Sequence, residues 1–212
     1  MNSTSSSEEN KQYKDELDTL STLTPPSSQE LAAKQVFLGP TTKRYTLVLD
    51  IDKTLVYTGP MSATGKETND GKEYILTVRP YAVELIERLS PKFEIIIFTS
   101  ADDQYAKQVY DYFNGTNGYL SGLFTKTSCI ALKEGYIVKD LRIFADRALD
   151  KMLIVDDSIL SFAFQLENGV PVVPYDGSAD DEELLRLAFY LEGLYSSENI
   201  VKANKEFMKL AH

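Results

Sequence analysis

The stretch Leu47-Val48-Leu49-Asp50-Ile51-Asp52-Lys53-Thr54-Leu55-Val56 decides how the rest of this chain is read. An apolar run with the length of a buried strand ends in two carboxylates one residue apart, and a threonine and more apolar residues follow. Side chains alternate along a strand, so Ile51 turns away while Asp50 and Asp52 share one side at the carboxyl end. Open α/β sheets bind their ligands at that end. Two acids placed together can divide labour, one as an ionised nucleophile or metal ligand and one as a proton carrier. A strand that simply ends in solvated aspartates, with Thr54 capping the next turn, is the alternative these ten residues leave open.

Outward from this segment, strand and helix signals alternate. Tyr45 to Leu49 is the first strand, and Asn69-Asp70-Gly71 predicts a hairpin turn into Glu73 to Val78. Pro80 opens a helix whose Val83, Leu85, Ile86 and Leu89 share a broad face, and Pro91 stops it. Phe93 to Phe98 is a central strand, and Ser100 with Asp103 has capping-box spacing for the helix that follows. Lys151 to Val155 and Val170 to Val173 are further strands, and Ser178 with Asp181 caps a last helix through Leu184, Leu187, Ala188 and Leu191. The alternation predicts a doubly wound, mainly parallel α/β sheet covered on both faces, with a small β-hairpin insertion. Residues 1–40 are expected to be a disordered or weakly structured tail. Polar composition to about Ser28 offers too little apolar surface to offset ordering entropy, and a short helix over Gln29 to Leu38 ends at Gly39-Pro40. Residues 41–212 form the domain.

Composition narrows the chemistry. The chain has 212 residues, 43% of them hydrophobic, and a net charge of −10. That charge argues against direct nucleic-acid binding, which needs a basic face. A phosphorylated ligand remains compatible, since screening confines surface charge effects to about 8 Å at physiological salt. The single cysteine, Cys129, excludes an internal disulfide and predicts an intracellular protein, in the nucleus or cytoplasm. The one histidine, His212, is the last residue, so Ser-His-Asp and Cys-His catalysis and histidine-rich metal sites are excluded. Any metal is then oxygen-bound, which points to Mg²⁺. No apolar stretch reaches membrane-spanning length, and the Ser-rich, acidic start lacks signal or transit features, so neither membrane insertion nor a leader is expected.

Two look-alikes fail. Gly59 to Glu67 mimics a phosphate-cradling loop but has one residue too many between its glycines and lacks the Ser/Thr hydroxyl. Lys151 to Ser158 mimics the first strand of a two-component receiver, but too little chain follows to complete that sheet. The polar residues that remain follow apolar strands: Asp50 and Asp52, then Thr99 and Ser100, then Lys139, then Asp156 and Asp157. Parallel strands bring their carboxyl ends to one rim, so these residues can converge. Phosphoryl transfer needs such a set of nucleophile, cation and oxygen-holding donors.

These residues, with TVRPYAVELIERLS, FEIIIFTSADDQYAKQVYDYF, GYIVKDL, LIVDDS and ENGVPVVPYDG, resemble the haloacid-dehalogenase superfamily. The branch they are most similar to is that of RNA-polymerase C-terminal-domain phosphatases and NLI-interacting-factor-like small phosphatases, from about Lys43 to about Leu194. The resemblance implies a Mg²⁺-dependent protein serine/threonine phosphatase acting through an aspartyl-phosphate on a phosphorylated protein, with phosphoserine of the RNA polymerase II C-terminal domain as one expected substrate. It implies Asp50 as nucleophile and Asp52 as general acid/base, with Thr99, Ser100 and Lys139 on the phosphoryl oxygens. Mg²⁺ would be held by Asp50, the Asp52 carbonyl and Asp157, with Asp156 beside it.

Some positions depart from that pattern. Lys53 replaces an acidic residue of the branch, and Asp157 stands where the small phosphatases carry Asn. Near Leu123 to Cys129 an arginine that meets substrate phosphate is missing, which makes Lys126 the expected substitute, and Lys126 or Arg79 is expected near the substrate phosphate. The room between the motifs fits a hairpin flap and no large cap, which favours a protein substrate over a metabolite. A monomer is expected. Two other classes compete: a catalytically weak protein-binding module, as in the mitochondrial translocase subunit that shares this fold, and a small-molecule phosphatase.

Overall fold

The computed structural model describes residues 14–60 and 74–210. Its centre is a parallel sheet of five strands: β1 (Tyr45–Leu49), β4 (Phe93–Phe98), β5 (Leu120–Phe124), β8 (Met152–Asp156) and β9 (Gly169–Pro171). The spatial order is β5-β4-β1-β8-β9, so β1 is central and the chain winds outward to both sides of it. Such an order creates a crevice at the carboxyl end of the central strand. The register pairs Leu49 with Ile97 on one side and with Val155 on the other, which levels the three strand ends.

Every residue of β1 is buried, and alternation sends neighbours to opposite layers. Leu47 and Leu49 join Ile95, Ile97, Leu153 and Val155 under the helices α3 (Ala82–Leu89), α4 (Asp103–Asn114), α5 (Glu183–Tyr195) and α6 (Ile200–Leu210). Val48 joins Ile96, Phe98, Met152 and Ile154 in a second cluster. That face is covered by 3₁₀ turns, by the small hairpin β6 (Ile130–Ala131)–β7 (Ile137–Val138), and by the N-terminal segment. The doubly wound sheet is as expected. Between β1 and α3 the described residues form only the antiparallel hairpin β2 (Val56–Pro60)–β3 (Tyr74–Val78). The expected Asn69-Asp70-Gly71 turn lies outside the described residues.

Three local expectations are corrected. Asp102, not Ser100, caps α4, its carboxylate accepting from the backbone N–H groups of Gln104 and Tyr105. Asp103 is drawn away instead to the Thr125 hydroxyl. Val83 is exposed on α3. A further helix, α6, follows α5; its polar sequence hides a buried Asn204, whose amide donates to the carbonyls of Glu167 and Gly169.

The largest correction concerns the N-terminal segment. Residues 14–20 form helix α1, and Ser28–Ala33 forms α2 with a capping box between Ser27 and Glu30. Leu23 is buried, and Leu20, Leu31, Val36 and Leu38 pack on the second core cluster. The Glu16 carboxylate accepts from Ser158 Oγ and the Ile159 N–H, and Glu134 accepts from Thr24. Val36 pairs with the backbone around Phe144, and Asp146 accepts from the N–H groups of Leu38 and Gly39. The part of that expectation on residues 1–13 lies outside the described residues; for residues 14–28 the expected disorder assumed a segment that must supply its own apolar partners. Sparse leucines suffice when a folded domain offers them an apolar face.

A candidate phosphoryl-transfer site at the sheet rim

The site is built on the last residues of β1 and β8. Asp50 directly follows β1, its N–H donating to Val155 O (3.0 Å), so the ladder itself fixes where the carboxylate starts. Asp156 ends β8. Lys139 directly follows β7 and is only 2% exposed. Its ammonium lies 2.5 Å from Asp50 Oδ1 and 2.6 Å from Asp156 Oδ2. The other Asp156 oxygen accepts from the Ser158 N–H (3.0 Å). Asp157 completes the group: one carboxylate oxygen from each of Asp50, Asp156 and Asp157 lies within 4.8 Å of the others.

Burial and like charge shape the electrostatics here. Burial first, and then Asp156, push the Asp50 carboxyl well above its ordinary range, with Lys139 opposing. Burial and Asp156 also push Asp157 up to about 6, against the pull of Lys53 and Lys139. Burial works against the Lys139 ammonium, but Asp156 and Asp50 outweigh it and hold it charged beyond the usual lysine range. Three carboxylates around one ammonium leave a negative excess. An oxygen-only donor set with that excess fits a hard divalent cation. Both Asp156 oxygens already have partners, so Asp50 and Asp157 are the members best able to turn an oxygen toward one.

Asp52 is held apart from this cluster. Its Oδ1 accepts from the Tyr105 hydroxyl (2.7 Å), which also lies 3.2 Å from Thr58 Oγ1. A phenol has one proton to donate, so in this arrangement Thr58 is the donor in the second contact. With Oδ1 committed as an acceptor, a proton on Asp52 sits on Oδ2. Tyr105 and Thr58 were not read from the sequence. A signal existed for Tyr105: it lies in the first turn of α4, and helical side chains lean back toward the N-terminus, here toward the rim.

The turn between the acids and β2 is strained and braced. Lys53 is left-handed (φ 58°), a conformation costing a non-glycine residue roughly 1–2 kcal/mol. Its carbonyl accepts from the Tyr175 N–H (2.7 Å) and from Arg79 Nη1 (3.3 Å). Arg79 was expected near substrate phosphate. The structure instead buries it at 1% exposure, with Nε and Nη2 on the Asp181 carboxylate (2.9 and 2.8 Å), Nη2 also on the Val173 carbonyl, and Nη1 on the Thr54 carbonyl. It lies over the Tyr175 ring and ties the turn to the start of α5.

Arg79→Ala is therefore expected to destabilise the fold by about 3–5 kcal/mol, as for other broken buried ion pairs. Arg79→Lys should recover only part of that, because lysine lacks the planar fork. Denaturant midpoints test this; an unchanged midpoint with a raised KM for phosphopeptides would return Arg79 to the substrate.

The remaining residues divide. Thr99 reaches the rim, but its hydroxyl accepts from the Ala101 N–H (3.1 Å), and Ser100 is exposed beside it. Lys126 is exposed in the 3₁₀ turn Lys126–Ser128 beyond β5, with Ala33 and Lys34 of the N-terminal segment lining the same cavity.

A family model described as NLI interacting factor-like phosphatase matches residues 45–201. The chain is 31% identical over 181 residues to the Caenorhabditis elegans protein CTD small phosphatase-like protein 3, covering 80% of this chain and 62% of that one. It is 33% identical over 168 residues to the human carboxy-terminal domain RNA polymerase II polypeptide A small phosphatase 2, covering 74% and 59%. The chain thus spans less than two-thirds of either relative. Among solved structures it is similar to the fission yeast RNA polymerase II CTD phosphatase Fcp1-R271A bound to beryllium fluoride. The TM-score is 0.51 at 19% identity, over 86% of this chain and 52% of that one, a likeness of fold. Among the described residues, no helix is long and apolar enough to cross a membrane.

Proposed function

We propose, from the premise that the chain belongs to the NLI interacting factor-like phosphatase family, that it is a Mg²⁺-dependent protein serine/threonine phosphatase working through an aspartyl-phosphate. One observation carries this reading: Asp50 meets Lys139, Asp156 and Asp157 at the end of the central strand, while Asp52 is held separately by Tyr105. The names of the relatives support a phosphoprotein substrate of the C-terminal-domain type.

In the first step an Asp50 oxygen attacks phosphorus, the bond to the seryl or threonyl oxygen breaks, and Asp52 gives its Oδ2 proton to that oxygen. In the second, Asp52 takes a proton from water, the water oxygen attacks phosphorus, and the bond to Asp50 breaks to release phosphate. Lys139 orients Asp50 and offers an ammonium to the phosphoryl oxygens, with Thr99 and Ser100 as neighbouring donors. Asp156 holds Lys139 in place. Asp50, Asp157 and the Asp52 carbonyl would hold Mg²⁺, which when bound would offset repulsion between the carboxylates and a dianionic phosphate.

The test is a panel of phosphoserine and phosphothreonine peptides against sugar phosphates and nucleotides, with and without Mg²⁺. Peptides should lead. A metabolite exceeding the best peptide tenfold in kcat/KM, about 1.4 kcal/mol, overturns the protein-substrate reading. Chelation should remove activity and Mg²⁺ restore it, while Asp157→Ala should weaken Mg²⁺ binding measured by calorimetry. Full activity after exhaustive chelation sinks the metal assignment. Phosphopeptide binding without any turnover would favour the binding-module reading.

A further inference from the structure

We infer that the pocket between α2, the turn at Lys126–Ser128 and the β6–β7 hairpin is a substrate subsite. It takes an apolar side chain of the phosphoprotein with an acidic residue beside it. The inference rests on the phosphatase reading above.

The pocket encloses about 320 Å³, at the small end of ligand pockets and sized for a side chain or two. Ala33, Ile130, Ala131 and Ile137 supply apolar lining, and Lys34 and Lys126 supply positive charge. The one acid in the lining, Glu30, is turned to its own helix start, its Oε2 accepting from Ser27 N (2.8 Å) and Ser27 Oγ (2.6 Å). Lys34 spends one proton on the Thr127 carbonyl (2.5 Å), which leaves two for a ligand. Two lysines against one committed carboxylate, on a chain of net charge −10, make this a locally cationic place suited to an acidic partner.

The wall of the pocket is hydrogen-bonded to the backbone at the catalytic rim. Cys129, in its lining, donates its Sγ–H toward the Thr99 carbonyl (3.5 Å), and the Lys126 N–H donates to Ala101 O (3.0 Å). Burial pushes the Cys129 thiol up, and the charges of Lys139, Asp50, Asp156 and Lys34 all act on it. Ile137 of the lining lies two residues before Lys139. In the sheet order β5-β4-β1, the turn after β5 is two strand spacings from Asp50, about 10 Å. An extended peptide spans that in about three residues. The occupant is therefore the segment of the substrate about three residues from its phosphorylated side chain. Ala33 and Lys34 lie outside residues 45–201, so part of this lining comes from sequence beyond the family match.

Two measurements on the full chain test this. The first is binding of labelled phosphoserine peptides to the Asp50→Asn variant by fluorescence anisotropy, varying the residues three positions from the phosphoserine. The second is kcat/KM of the active chain on the same peptides and on nitrophenyl phosphate. Leu beside Asp should bind about tenfold tighter than Ala beside Lys, about 1.4 kcal/mol. Ala33→Phe, which fills the pocket from an exposed helix end, should erase that preference, as should Ala131→Phe from the opposite wall. Lys34→Glu should erase the part due to Asp. Hydrolysis of nitrophenyl phosphate, which carries no peptide, should change less than twofold in the pocket-filling variants. Peptide affinities indifferent to both composition and pocket filling overturn the subsite. A wild-type chain inert toward nitrophenyl phosphate fails the phosphatase reading instead, and anisotropy still reports whether the pocket discriminates.

Discussion

Asp50→Asn is expected to lower turnover by about 10⁴-fold or more, the scale on which loss of a covalent nucleophile is felt. The amide oxygen can still accept from Lys139, so the ammonium keeps a partner where Asp50 Oδ1 now lies at 2.5 Å. What is lost is the charged oxygen that forms the bond to phosphorus. Stability should not fall. Burial and Asp156 already disfavour ionised Asp50, so a neutral isostere removes a buried charge from a crowd of carboxylates. Three measurements go together: turnover of a phosphopeptide, acid-quenched trapping of labelled aspartyl-phosphate, and the thermal midpoint. Substantial turnover, or a trapped phosphoenzyme, in a variant with an unchanged midpoint would remove Asp50 from its role.

Asp52→Asn should lower the rate by roughly 10²–10⁴, the usual worth of a general acid/base. Its signature is selectivity. With nitrophenyl phosphate the leaving group departs without a proton, so the loss in forming the phosphoenzyme should shrink; with a seryl or threonyl substrate it should be full. Tyr105→Phe should show the same selectivity at smaller size, about tenfold, because it frees Asp52 to rotate without removing it. Pre-steady-state rates on both substrate types decide this. Equal losses for good and poor leaving groups would mean that Asp52 does not carry the proton.

Much of this architecture was legible because it depends on local patterning. An apolar run such as Leu47–Leu49 or Ile95–Phe98 must bury both faces of its strand, and parallel strands so buried must end on one rim. That places Asp50, Thr99 and Asp156 together before any coordinate is known. Arg79 was not legible. Read in sequence it is an arginine beside a proline near the motif, and a guanidinium serves a phosphate and an Asp181 carboxylate equally well. Only the arrival of α5 brings Asp181 within 2.8 Å and closes the choice. Residues 14–28 were misjudged for a related reason: their few leucines count for little until the second face of the sheet receives them.

The sequence alone determined the sheet, its doubly wound connectivity and the strand-end acids, because hydrophobic alternation and chain direction act within each element. The tertiary structure alone decided which hydrogen-bonding and ion-pair partner each of those acids takes at the rim. Lys139 lies far along the chain from Asp50 and is short of solvent, so its pairing with Asp50 and Asp156 is a property of packing. The same holds for Tyr105 on Asp52 and for Ala33 and Lys34 in the pocket beside Cys129. Contacts across tens of residues are set by how layers stack, and stacking depends on the shape of the whole core.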